Sequence, residues 1–195
     1  PKEDEQERLY SIGSGSNGEI VLYVKKHFLG VCSHLLAGLA QNSTIEARIV
    51  PNKKFYPPEG YRSLILVSNG TGIAPFIGMA SENKLHAKID LFWGGKSVED
   101  YKLYEEELLS LQSNGKISSL RTVFSENKGL YVQKLIAENE QEVCDALKQG
   151  TSIMICGSIA MGQGVLEEIG LMCRNNNMPE IDYYKDNGQI KMDCY

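Results

Sequence analysis

Two rhythms of apolar and polar positions divide the chain. After residue 60, short runs of branched apolar side chains alternate with longer segments that carry an apolar stripe at helical spacing. Continuous apolar runs at 64–68 (LILVS), 88–93 (KIDLFW), 119–124 (SLRTVF) and 152–156 (SIMIC), with a last one at 189–193, predict strands of a buried parallel sheet. Helices are predicted over 75–84, 99–113, 132–148 and 161–175, with a further helical turn at 179–186. Leu103, Leu108 and Leu111 with Tyr104 give one helix its stripe; Leu135, Ile136, Val143 and Leu147 give the next. This β–α repetition predicts an α/β fold, a doubly wound five-stranded parallel sheet with helices on both faces. Ligands of such sheets sit at the carboxyl ends of the strands.

Before residue 60 the pattern is different. A charged lead-in, residues 1–7, precedes a predicted strand at 8–12, a Gly/Ser turn from Gly13 to Gly18 and a second strand at 19–25. Residues 30–39 suit a short helix with Ser33 as N-cap, and 44–50 (TIEARIV) a third strand closed by Pro51. Phe55, Tyr56, Pro57, Pro58 and Gly60 form a stiff connection, so a domain boundary is expected near residue 60. No internal repeat or low-complexity tract is present.

The most informative stretch is 64–79, LILVSNGTGIAPFIGM. Its strand runs into Asn69, Gly70, Thr71 and Gly72, where two glycines permit positive φ and leave no side chain above the backbone. Pro75 suits the first turn of a following helix. Strand, turn and helix start aim free N–H groups and a partial positive charge at one spot, which suits a phosphate. The dinucleotide fingerprint is only partly met. Pro75 stands where a third glycine belongs, and Asp90 opens the second strand instead of closing it. An ordinary α/β domain with a glycine-rich turn reads the same way locally.

Composition adds limits. The chain has 195 residues, 42% hydrophobic and 23% charged, with a net charge of −5 and no basic run, which argues against nucleic acid as a partner. Five cysteines (Cys32, Cys144, Cys156, Cys173, Cys194) lack paired spacing, and His27, His34 and His86 make no metal-ligand pattern. Reduced thiols in a cytoplasmic setting, or on the cytoplasmic face of a membrane, are expected. No stretch approaches the ~20 apolar residues of a membrane span, so a membrane would be reached only through a part of a longer parent chain. No nucleophile–base pair or carboxylate pair stands out, as expected where cofactors carry the chemistry.

Orienting groups are present. Arg8, Tyr10 and Ser11 could hold a pyrophosphate, stack on an isoalloxazine and hydrogen-bond a flavin edge. By themselves these residues fit a generic edge strand equally well. Yet Arg8-Leu9-Tyr10-Ser11, then Gly30-Val31-Cys32-Ser33, then G-T-G-I-A-P-F from Gly70 resemble, in order, the two flavin motifs and the nicotinamide-nucleotide loop of the ferredoxin–NADP reductase family. Residues 91–95 with 99–108, Phe124-Ser125 with 131–135, Ile155-Cys156-Gly157 with Met161, and the closing Met192-Asp193-Cys194-Tyr195 extend the likeness over residues 8–195. The ending is similar to that of the diflavin reductase subgroup, which includes cytochrome P450 reductase and sulfite reductase flavoprotein.

The resemblance implies a flavoprotein reductase module, with hydride passing from NADPH to FAD and electrons onward to a redox partner protein or domain. That partner would be a flavodoxin-like FMN module, a heme protein or an iron–sulfur protein. It implies that residues 1–60 are an incomplete FAD-binding β-barrel, whose first strands would precede Pro1, and that 61–195 bind NAD(P). Such an open half barrel is expected to hold FAD weakly. Ser11, Asp193 and Tyr195 would surround the hydride path. Arg8, Tyr10, Ser11, Gly30, Val31, Cys32 and Ser33 would hold FAD; Gly70, Thr71, Gly72, Ser125, Lys128, Tyr131, Gln133, Gly157 and Met161 would hold the nucleotide, with Tyr195 against the flavin. Three departures stand out. Gly95 replaces the family's thiol, so that hydride transfer is slowed or Cys156 compensates; Glu126 replaces an arginine for the NADP 2′-phosphate; Ser158 replaces an aspartate. Glu126 suits NAD, whereas Lys128 or Lys134 would restore NADP, which the family pattern favours. A catalytically silent nucleotide-binding module and a flavin reductase for a small acceptor are the alternative readings.

Overall fold

The computed structural model describes residues 7–16, 19–84, 86–126 and 129–195. The amino-terminal part forms an antiparallel pair, β1 (Ile12–Ser16) and β2 (Glu19–Leu22), and a helix, α1 (Val31–Ala37). The rest runs β3 (Ser63–Asn69), α2 (Ala74–Ser81), β4 (Lys88–Gly95), α3 (Val98–Ser113), β5 (Ser119–Phe124), α4 (Val132–Glu138), α5 (Glu140–Lys148), β6 (Ser152–Gly157), α6 (Ile159–Asn175), α7 (Ile181–Asp186) and β7 (Ile190–Cys194).

All five later strands are parallel, in the order β5-β4-β3-β6-β7, so the chain reverses its direction of travel across the sheet between β3 and β6. Successive residues of a strand face opposite layers. Ile65, Val67, Phe92, Ile153 and Ile155 pack with Ile136, Val165 and Ile169 of α4 and α6. Leu64, Leu66, Trp93 and Met154 pack with Phe76 and Ile77 of α2 and Tyr104 and Leu108 of α3. Helices therefore cover both faces, as the continuous apolar runs predict.

The amino-terminal expectations need correction. No strand forms at 8–11; β1 begins only at Ile12 and takes up the Gly/Ser run that reads as a turn. Its small residues allow close approach: the Tyr23 ring lies where a Cβ on Gly13 would be, and Gly13 in turn presses its carbonyl on Gly78 of α2. Residues 44–50 form no strand either. Positions 41–54 are all exposed, and among the described residues no neighbouring strand offers the ladder that extended chain needs. The expected helix at 132–148 is two helices, because the Asn139 side chain donates back to Leu135 O at 2.7 Å where the ladder breaks. Ser33 does not cap α1; Gly30 is at the N-cap, and Ser33 lies inside the helix.

Two aromatic contacts and two hydrogen bonds help to join the parts. Tyr23 meets Tyr104 with ring centroids 5.0 Å apart and donates its hydroxyl proton to Glu107. Phe55 packs on Phe76, and Lys191 Nζ donates to Tyr56 O at 2.8 Å.

Asp90, the acid that opens the second strand of the sheet, is structural. Its carboxylate is almost wholly buried, pairs with Lys88 Nζ at 2.8 Å and accepts from Ser119 Oγ at 2.6 Å. Beside it Arg121 bonds Glu142 at 2.7 Å and covers the Phe92 ring. Removing one member of a fully buried pair costs about 3–5 kcal/mol, but Lys88 is 58% exposed and would regain water. Asp90→Ala is therefore expected to cost about 1–2 kcal/mol, read as a lower urea midpoint at unchanged slope.

Candidate functional site

A cleft of about 780 Å³ runs along the carboxyl ends of the sheet, within the roughly 300–1,000 Å³ usual for small-molecule sites. Asn69 ends β3 and Gly70 and Thr71 follow it, Gly95 ends β4 and Lys96 follows it, Ser125 follows β5, and Ser158 follows β6. The facing wall comes from residues 22–25, at and after the end of β2. The cleft thus lies at the strand reversal, where the loops from β3 and β6 leave to opposite faces.

The glycine turn is helical from its first residue. Gly70–Ile73 winds one 3₁₀ turn directly into α2, with Pro75 in the opening turn of that helix. The N–H groups of such a start have no partner within the helix. Gly72 is required by close approach: a Cβ there would lie 2.6 Å from Gly157 Cα and nearer still to the Cys156 carbonyl oxygen. Gly157 has φ +148°, and a side chain on it would run into the Asn69 amide. Asn69 makes two bonds to Ser158, accepting from its N–H at 2.9 Å and donating to its hydroxyl at 3.2 Å. Ser158 Oγ also accepts from Met161 N–H at 3.3 Å, capping α6. The ends of β3 and β6 are thereby fastened together beneath the cleft.

Most sequence-derived nucleotide residues meet here. Gly70, Thr71, Ser125, Tyr131, Gln133 and the buried Met161 line the cleft, with Gly72 and Gly157 under its floor. Gln133 Oε1 is buried without a hydrogen-bond partner among the described residues, an acceptor suited to an amino or hydroxyl donor of a bound nucleotide. Ser125 N–H donates to Gly95 O at 2.9 Å and Glu126 N–H to Lys96 O at 3.0 Å, so two adjacent strand-end loops are tied together. Glu126 and Lys134 are exposed, and Lys128 lies outside the described residues. Tyr195 N–H donates to Gly157 O at 2.9 Å; the residue is 62% exposed, and the Thr71 side chain lies near its hydroxyl. Asp193 is half-buried and stands beside Cys156 in the β6–β7 register.

The flavin-type residues are only partly assembled. Tyr10 meets Cys32, bringing the two motifs together, and burial followed by the Cys32 thiol pushes its phenol up to about 12. Arg8 is close enough to Tyr10 to act electrostatically on it. Val31 is 72% exposed, whereas Ser33 is buried, accepting from His27 N–H at 3.1 Å and donating to Gly30 O at 3.0 Å. Ser11 is half-buried, and among the described residues no hydrogen bond joins it to Asp193 or Tyr195.

Cys156 cannot stand in for a thiol at residue 95. It is fully buried under Gly72, and burial, then the Asp193 carboxylate, drives its thiol pKa far up. Tyr104 is likewise uncharged, its phenol raised to about 12 by burial, then by Asp100 and Tyr195. Sequence reading misses Asn69, Trp93, Lys25 and Lys96, which line the same cleft. Trp93 carried a legible signal: its i+2 neighbour on the same strand face is a glycine.

A parallel sheet with its cleft at the strand reversal and a glycine turn opening a helix defines a nucleotide-binding α/β domain. The chain belongs to the oxidoreductase NAD-binding domain family, whose model matches residues 66–167. It is 31% identical over 167 residues to the sulfite reductase [NADPH] flavoprotein alpha-component of Shewanella oneidensis, an alignment covering 77% of this chain and 28% of that protein. It is 32% identical over 156 residues to a self-sufficient cytochrome P450 monooxygenase of Oidiodendron maius, covering 72% of this chain and 14% of that one. NADPH oxidoreductase A of Dictyostelium discoideum is 31% identical over 152 residues, 74% of this chain and 24% of that protein. The chain thus spans less than a third of each relative's length. These relatives bear out the diflavin-subgroup resemblance of the motifs.

The two glycines of the turn should respond differently to a methyl group. Gly72→Ala meets backbone and is expected to cost about 3 kcal/mol or more. Gly70→Ala meets nothing within 4 Å and pays only for φ +52°, about 1–2 kcal/mol; urea denaturation of both variants checks the contrast.

Proposed function

We propose that this chain is the nucleotide-binding part, with a portion of the flavin-binding part, of an NAD(P)H-dependent flavoprotein reductase. Residues 61–195 would form the nucleotide domain and residues 1–60 a section of an FAD-binding barrel. The observation that carries this reading is the terminal aromatic ring of Tyr195, tethered to Gly157 and set beside Thr71 at the glycine turn. An exposed ring at the rim of a nucleotide cleft suits a planar, conjugated cofactor.

When bound, the dihydronicotinamide and the flavin supply the hydride chemistry; the chain's own residues bind and orient. The free N–H groups of the Gly70–Ile73 turn would hold a pyrophosphate, with Gly72 and Gly157 keeping the floor low. Tyr131, with its ring 55% exposed in the cleft wall, would stack on an adenine, and Gln133 Oε1 would accept from the adenosine. Ser125, Lys128 and Met161 would complete that end. Tyr10 and Cys32, with Arg8, Ser11, Gly30, Val31 and Ser33, would form the flavin side, and Ser11, Asp193 and Tyr195 would surround the transfer path. Lys25 and Lys96 line the cleft with Asp100 as the carboxylate among its lining residues, and this cationic excess favours NADP over NAD despite Glu126. Electrons would pass onward to a flavodoxin-like, heme or iron–sulfur partner. The relatives' names, which include NADPH and cytochrome P450, support an electron-transfer role.

Stopped-flow bleaching of the FAD-loaded protein tests this. NADPH is expected to bleach the flavin at least tenfold faster than NADH. No bleaching by either nucleotide, with flavin bound, overturns the hydride-transfer reading in favour of a silent nucleotide-binding module.

A further inference from the structure

We propose that Trp93 is a positioning residue for the nucleotide turn, and that residue 95 is glycine because of it. The proposal rests on the nucleotide reading above. Trp93 and Gly95 lie on the same face of β4, two residues apart. The indole does not stand upright from the strand but lies along it, over Gly95. A Cβ on Gly95 would be 2.6 Å from Trp93 Cζ3 and 3.1 Å from Cζ2, and closer still to Cη2. All three atoms belong to the outer ring of the indole. A tryptophan at 93 in this pose and any side chain at 95 exclude one another.

The indole is not free to turn away. It is fully buried, with the rings of Tyr101, Tyr104 and Phe124 around it at centroid distances of 5.7, 5.8 and 6.2 Å. Its Nε1–H donates to the carbonyl oxygen of Gly70 at 3.0 Å. Gly70 opens the turn at φ +52°, and the peptide that carries its carbonyl also carries the Thr71 N–H. In a planar trans peptide the C=O and the next N–H point in opposite directions. Drawing the Gly70 carbonyl onto the indole therefore turns the Thr71 N–H away from it and sets the orientation of the first donors of the turn. The Thr71 side chain also lies near the Tyr195 hydroxyl. One indole N–H thus orders, in sequence, the turn and the surroundings of the terminal ring. Phenylalanine or leucine at residue 93 would fill the layer but offer no donor to Gly70.

The test is a two-residue cycle in the 195-residue chain: wild type, Trp93→Phe, Gly95→Ala and the double variant. NADP⁺ titration calorimetry and urea unfolding are measured on each. Trp93→Phe keeps a ring and removes the donor, so NADP⁺ affinity is expected to fall three- to tenfold. Gly95→Ala is expected to lower the unfolding midpoint and weaken NADP⁺ at least tenfold in the wild-type background, and less than twofold in the Trp93→Phe background, where the outer ring is gone. Ile169→Val, a core truncation on the opposite face of the sheet, controls for stability and should leave NADP⁺ affinity unchanged. Equal tolerance of Gly95→Ala in both backgrounds, or wild-type NADP⁺ affinity in Trp93→Phe, overturns the proposal. If the wild-type chain binds neither NADP⁺ nor NAD⁺, the nucleotide role falls with the reading it rests on, while the unfolding midpoints still decide whether residues 93 and 95 exclude one another.

Discussion

The seam between β3 and β6 is the constraint on which the rest of the site depends. These two central strands send their following segments to opposite faces of the sheet, which opens a gap at their carboxyl ends. In this chain the gap is bridged by the paired bonds of Asn69 with Ser158 and by the contact of Gly72 with residues 156 and 157. Three further features of the cleft are tied to that seam. The 3₁₀ turn starts from it, α6 is capped by the same Ser158 hydroxyl, and Tyr195 is tied to the same Gly157. A shift of a few tenths of an ångström there would change the donors of the turn and the height of the terminal ring together.

The nucleotide half was legible because buried parallel strands carry no alternation to misread. Leu64 to Val67 and Ile153 to Cys156 are apolar at every position, and they are the central strands. The amino-terminal half was not legible for the opposite reason. Residues 44–50 have the composition of a strand, but composition supplies no neighbour, and an unpaired extended segment gains no ladder. The Gly/Ser run carried every turn signal and yet forms β1, because absence of side chains serves close packing on α2 and under Tyr23 as well as it serves turning. Asn139 divides α4 from α5 through a side-chain bond that no periodicity reveals.

The site was legible as motifs and opaque as contacts. Glycines at 70, 72 and 157 point to a phosphate-type turn in any reading, but Asn69 looks like an ordinary turn residue until Ser158, 89 positions later, is placed beside it. Departures from the family pattern likewise acquire meanings in three dimensions. Ser158 keeps a helix cap and gains a bond to Asn69, so the lost charge leaves no unsatisfied group. Asp90, too early in its strand to serve a ribose, is engaged by Lys88 and Ser119.

The indole lying over Gly95 also couples two positions. Where two positions compete for one volume, the effect of a substitution at one depends on the other. With the indole in this pose, a Cβ at 95 meets its outer ring, so a side chain there calls for a change at 93 as well. What reads in one sequence as a missing thiol is, in three dimensions, space already taken.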